Sequence, residues 1–283
     1  MGFSFRYDRL ATLFLVQPLT RVLRDDAERK VPILMYHDVS DVPERASHPY
    51  FQTNTDPATF RMQMEWLAEN GYRAVPLAKI EEELARPAGE NGKPFVITFD
   101  DGFRNILEHA SPVLKRFGFP ATVFLATGYV GGRFKNRECL AWGEVRDLQA
   151  EGIDFGSHTV SHPKLHGMTW ESIRNEIGSS KTAIEDATGK PVRLFSCPYA
   201  FPQEDRGFVD HLGSALKKCG YSLGVTTMIG RAAPGEDPMF LKRIPVNMHD
   251  DESLFRAKLE GGYDWLRSPQ YVFRVLKRWF PGE

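Results

Sequence analysis

The stretch Phe95-Val-Ile-Thr-Phe-Asp100-Asp101-Gly102 is a run of strand-forming residues that ends abruptly in two adjacent carboxylates and a glycine. Its unbroken apolar character predicts a strand covered on both faces, as in a parallel sheet. Outward from it the same rhythm recurs in both directions: a short apolar run, a polar loop, then a longer stretch of helical periodicity. That alternation predicts parallel strands joined by crossover helices. Strands are expected at 31–36, 73–77, 95–99, 121–126, 153–157, 192–197, 222–227 and 241–246. Seven or eight such units predict an α/β fold, a deformed, TIM-barrel-like (β/α) barrel, with an open doubly wound sheet as the alternative.

The helices carry their own punctuation. Asp56-Pro57 offers a capping carboxylate followed by a proline suited to a first helical turn, and Phe60, Met64 and Leu67 then share one face up to Gly71. The segments 105–117, 169–188 and the one ending at Cys219 stop at Gly118, Gly189 and Gly220, each followed closely by another strand. No linker divides the chain. We therefore read 31–262 as one barrel, preceded by a leader at 1–30 and followed by a basic, aromatic helix at 263–283.

With 283 residues and 42% hydrophobic content the chain can bury a large core, and 36 basic against 37 acidic residues give no reason to expect nucleic acid as a partner. Cys139, Cys197 and Cys219 lie far apart without a CxxC pair, which predicts no disulfide framework and fits a reducing compartment. Arginines at 6, 9, 21 and 24 interrupt the apolar leader before it reaches a spanning length of ~18 residues. A cytoplasmic location is expected, with export left open. Phe3, Phe5, Leu10, Leu13, Phe14 and Val16 suit a helix packed on the domain or lying on a membrane surface, and Tyr271 to Phe280, carrying Arg274, Lys277 and Arg278, offers the same pair of readings.

The chemistry collects just after the strands, where parallel α/β folds place their sites. Asp100 and Asp101 leave a strand end in different directions, so one can bind a cation while the other accepts a proton; a helix-capping turn is the plainer alternative. Gly156-Ser-His158-Thr-Val-Ser-His162-Pro163 places two imidazoles four positions apart, able to meet one ion if the loop takes a helical turn. Solvated histidines are the plainer alternative there. Asp101, His158 and His162 together match the three-ligand set of catalytic zinc. His48, His109, His166 and His211 have no partner at ligand spacing, and Cys197 is expected to act as a small buried hydrophobe.

Thr98-Phe-Asp-Asp-Gly102 and His158-Thr-Val-Ser-His162-Pro, in this order, resemble the first two motifs of the polysaccharide deacetylases, carbohydrate esterase family four. The resemblance runs from about Val31 to Val246. It implies that Asp100 is the general base and that Asp101, His158 and His162 bind one divalent ion. Zinc is expected, and cobalt, nickel, manganese or iron stay open. Phe195-Ser-Cys-Pro198-Tyr199 is similar to the family's RxPY motif, with Ser196 where arginine is expected. By that resemblance Pro198 and Tyr199 line the substrate pocket, and the Tyr199 backbone N–H helps bind the oxyanion.

An amine leaving group needs an acid, and histidine suits that role near neutral pH. Leu34-Met-Tyr-His37 resembles the N-terminal YH segment of a permuted, exopolysaccharide-type subgroup, which implies His37 as the acid; His249, after the last strand, is the rival. The expected activity is that of a metal-dependent carbohydrate N-deacetylase, a hydrolase of linear amide C–N bonds acting on an N-acyl amino sugar. Removal of formyl or cleavage of another amide on a lipid-linked or nucleotide-linked sugar is the alternative enzyme, and a non-catalytic carbohydrate-binding barrel the alternative of another class.

Overall fold

The computed structural model describes residues 6–22, 28–42 and 48–279. Phe3, Phe5, Arg24 and Phe280 of the terminal segments lie outside the described residues. Eight parallel strands form one sheet: β1 (Ile33–Tyr36), β2 (Tyr72–Ala74), β3 (Lys93–Phe99), β4 (Thr122–Leu125), β5 (Asp154–Ser157), β6 (Leu194–Ser196), β7 (Leu223–Ile229) and β8 (Leu241–Pro245). Their order is β1-β8-β7-β6-β5-β4-β3-β2, and β1 also pairs with β3. That extra pairing closes a seven-stranded barrel.

β2 is left outside the ring because one edge of β3 is shared. Lys93 to Phe95 pair with β2, whereas Val96 to Phe99 pair with β1. The eighth unit thus lies against the lower part of β3, which makes the barrel deformed.

The crossover helices follow their sequence signals. α1 (Pro57–Glu69) is capped by Asp56, whose carboxylate accepts from the Thr59 N–H at 2.9 Å. Phe60, Met64 and Leu67 are fully buried beneath it, each contributing about 1.5–3 kcal/mol by leaving water. α2 (Ser111–Phe117) ends on Gly118 in the left-handed conformation, and α4 (Trp170–Thr188) runs from a Thr169 cap to a left-handed Gly189. Between them lies α3 (Trp142–Ala150). α5 (Arg206–Lys218) begins at an Asp205 cap, while α6 (Glu252–Leu259) and α7 (Arg267–Trp279) follow the last strand.

The leader is helical over Tyr7–Leu10, Ala11–Val16 and Gln17–Val22 and runs alongside α6. Its contacts with the barrel include residues at the expected 262/263 boundary: the Tyr263 hydroxyl donates to Asp8 at 2.7 Å, and the Trp265 indole N–H donates to Thr12 at 3.1 Å.

Candidate active site

β3 delivers Asp100 and Asp101 to the C-terminal rim of the barrel. Asp101 then takes a left-handed conformation, φ 69°, which turns its side chain away from that of Asp100. Gly102 follows at φ 68°, and a Cβ there would come within 2.7 Å of Leu125 Cδ2, so the turn out of the strand requires glycine.

β5 supplies the histidines without the helical turn that their spacing suggested. Thr159 and His162 are themselves left-handed, φ 69° and 52°, and these two reversals fold the loop back on itself. Tyr199, past the end of β6, is a further such residue at φ 57°. Each costs on the order of 1–3 kcal/mol, and such strain is characteristic of sites that need a fixed geometry. At Gly156 a Cβ would meet the Phe124 ring at 2.6 Å, so glycine lets β5 lie close to β4 and sets where His158 emerges.

Asp101, His158 and His162 converge, with one ligand atom of each within 4.8 Å of the others. His158 Nδ1 lies 2.8 Å from the Ser196 carbonyl. A carbonyl only accepts, so Nδ1 carries the proton and the Nε2 lone pair is free, 3.6 Å from Asp101 Oδ1. His162 Nε2 lies 3.2 Å from the same oxygen. Asp101 Oδ1 is nevertheless buried without a hydrogen-bond donor. Three buried donor atoms facing a common point, one carboxylate oxygen among them unsatisfied, fit a divalent cation of the zinc type.

The electrostatics agree with that fit. Burial lowers the His158 imidazole to about 4, against the pull of Asp100, so it stays neutral as a ligand must. Burial alone would raise Asp101, yet contact with His162, the nearby imidazoles of His37 and His158, and the Lys135 ammonium hold it far below the usual carboxylate range.

Asp100 is built differently. Arg243, fully buried on β8, meets it with two parallel hydrogen bonds, Nη1 to Oδ1 at 2.8 Å and Nη2 to Oδ2 at 2.7 Å. Ser196 donates to Asp100 Oδ1 at 3.1 Å and accepts from Arg243 at 3.1 Å. The guanidinium is held in turn by the Thr226 carbonyl and the Thr98 hydroxyl. Burial would raise the Asp100 carboxyl, but Arg243, His158 and His37 outweigh it and keep it ionised.

Arg243 was not singled out from sequence. The vacancy at Ser196 was visible, and the available signal for what fills it was a basic pair inside the apolar strand Leu241-Lys-Arg-Ile-Pro-Val246.

His37, at the end of β1, brings Nε2 to 3.9 Å from Asp100 Oδ2. Burial lowers its imidazole below the ordinary value while Asp100 and Asp101 pull the other way. His249 is exposed, and its Nε2 pairs with Gln52 Oε1 at 2.7 Å, so the structure brings His37 to the carboxylates and gives His249 a different partner.

Pro198 is buried, and the half-exposed Tyr199 ring lies 4.6 Å from that of His162. A hairpin at Arg133–Phe134 and Arg137–Glu138 forms the opposite wall. Its Phe134 ring sits 4.9 Å from His162, Lys135 Nζ lies 3.5 Å from Asp101 Oδ2, and Arg137 is tied to Asp38, next to His37, at 2.9 Å. Cys197 is buried with its thiol pushed up to about 12, the state of an inert hydrophobe.

Residues 88–223 match the polysaccharide deacetylase family model. The match spans Asp100, Asp101, His158, His162 and Tyr199 and leaves His37 and Arg243 outside. The chain is 28% identical over 244 residues to YxkH of Bacillus subtilis (strain 168), whose name assigns it to the polysaccharide deacetylases, covering 84% of this chain and 79% of that one. It is 25% identical over 208 residues to the poly-β-1,6-N-acetyl-D-glucosamine N-deacetylase of Staphylococcus aureus (strain MSSA476), covering 70% and 69%. The deacetylase PplD of Streptococcus pyogenes, solved with acetate, shares the fold with a TM-score of 0.71 at 22% identity, over 82% of this chain and 99% of that one.

Proposed function

We propose that this chain, whose residues 88–223 match the polysaccharide deacetylase family model, hydrolyses the N-acetyl group of an N-acetylated amino sugar within an oligo- or polysaccharide, releasing acetate and a free amine. The observation that carries this reading is the meeting, at one barrel rim, of an ionised Asp100 with the Asp101, His158 and His162 triad. Two imidazoles and a carboxylate favour zinc. Such an ion, when bound, polarises the amide carbonyl and acidifies the attacking water.

Asp100 receives the proton lost by that water, with Arg243 and Ser196 fixing which face of the carboxylate is presented. The Tyr199 N–H donates to the oxygen that becomes anionic as the tetrahedral species forms. His37 protonates the departing nitrogen as the C–N bond breaks, and the aromatic walls of Phe134 and Tyr199 hold the sugar ring. Water adds across the amide, and the balance is one acetate and one amine.

The test measures acetate and formate released from N-acylated amino-sugar oligomers by the metal-loaded protein and by Asp100→Asn. Acetate release that falls by about 10²–10⁴ in the variant supports the proposal. Formate release in its place moves the reaction to deformylation, and oligomer binding with no release moves the chain to a carbohydrate-binding role.

A further inference from the structure

The leader helix is oriented against the usual rule for a surface helix. Its polar residues Asp8, Thr12 and Gln17 are buried against the domain, where they bond Tyr263, Trp265 and Glu260 at 2.7, 3.1 and 3.2 Å. Its large apolar residues face outward: Phe14, Leu15 and Leu19 are 68%, 64% and 59% exposed. The polar docking bonds hold the helix in this orientation, so rotation to hide the apolar side would break them. α7 repeats the pattern, with Val272, Phe273 and Leu276 exposed on one face.

The two helices flank a common point. Tyr50 lies within electrostatic reach of Arg6 and Asp8 of the leader and of Arg274 of α7. The neighbouring Phe51, edge-on to Tyr50 at 5.0 Å, is itself exposed. Each helix thus leaves an apolar face open to solvent, of a kind that single soluble domains rarely expose.

Charge identifies what covers it. α7 contains Arg267, Arg274, Lys277 and Arg278 and no acidic residue, whereas Arg6 and Arg9 of the leader are paired with Asp8, Asp250 and Asp251, so α7 carries the basic charge here, in a chain whose net charge is -1. Outward apolar side chains on and beside a cationic helix are complementary to an anionic bilayer surface. Among the described residues no helix is long and apolar enough to cross a membrane, so the helices would lie in the interface.

We propose that the leader helix and α7 form one platform that seats the protein on an anionic lipid surface. The leader's first turn is tied to Asp251 by Arg9 at 2.6 Å, just beyond the rim end of β8, so the platform begins beside the catalytic rim. Seating on lipid does not depend on the hydrolytic reading, and the two fail separately.

The test sediments the full chain with vesicles of phosphatidylcholine alone and of equal parts phosphatidylcholine and phosphatidylglycerol. Phe14→Glu/Leu19→Glu and Val272→Glu/Phe273→Glu are compared with the unaltered chain, with the melting temperature as the control for folding. Partitioning onto the anionic vesicles that weakens with added salt and falls roughly tenfold in each double variant, while the melting temperature holds, is the expected result. Three results overturn it: no partitioning of the unaltered chain, partitioning equal in all three proteins, or a dimer in sedimentation velocity that the same substitutions dissolve without any vesicle binding.

Discussion

Arg243 grips Asp100 across 143 residues of sequence, with both guanidinium nitrogens on both carboxylate oxygens. Lysine offers one point of charge where arginine offers a fork, so Arg243→Lys keeps the ion pair and loses the orientation. We expect kcat to fall about a hundredfold with little change in KM, because misplacement by about 1 Å costs that much. Ser196→Arg combined with Arg243→Ser moves the guanidinium to the motif position and is expected to recover part of kcat. Thermal melts of all three proteins separate orientation from loss of fold.

His37 and His249 are distinguished by their neighbours. His37→Gln removes the proposed proton donor and is expected to lower kcat by about 10²–10⁴, whereas His249→Gln breaks a contact with Gln52 and leaves kcat within a few fold. A general acid works protonated, so kcat/KM falls as pH rises through its pKa. Burial lowers that pKa below 6.5, and a bound cation pushes the same way. The pH profile of the unaltered enzyme should show this alkaline limb, and the residual activity of His37→Gln should not.

Much of this site was legible in the sequence because its parts sit in short motifs at strand ends. Asp100 and Asp101 follow an unmistakable buried strand, and His158 and His162 carry ligand spacing within five residues. The closure of the barrel was also legible in outline, since the eight predicted strands correspond to the eight of the main sheet. Two things were not. The exclusion of β2 from the ring depends on how Lys93–Phe99 divides one edge between two neighbours, which no local pattern encodes. The role of Arg243 depends on the register of β8 against β1 and β7, which places a basic residue from an apolar strand beneath an acid 143 residues earlier.

The metal-free protein is expected to lose stability in acid for a definite reason. The folded state holds His158 neutral down to about 4, whereas the unfolded chain protonates it near 6.5. Between those values the unfolded state binds the extra proton, so stability falls as pH falls from 6.5 toward 4. Below that range Asp100 and Asp101, held far below ordinary carboxylates, continue the loss as their unfolded counterparts take up protons. Melting temperatures of chelator-treated protein across this interval should drop, and His158→Gln should flatten the upper part of the curve.

The ligand set makes its own prediction about the cation. Asp101→Asn removes the charge that faces both imidazoles, and calorimetric titration with zinc is expected to show affinity weakened by at least about tenfold relative to the unaltered protein. Lys135→Ala removes an ammonium 3.5 Å from Asp101 Oδ2 and is expected to strengthen zinc binding, since a competing positive charge is gone.

We propose that Asp101, His158 and His162 hold one ion on which amide hydrolysis depends. Titrating chelator-stripped protein with zinc while following acetate release from an N-acetylated amino-sugar oligomer tests it directly. Activity should be absent at the start and rise linearly to a break at one equivalent per chain. Full acetate release by the stripped protein, or zinc loading at these three residues with no release at any stoichiometry, would contradict it.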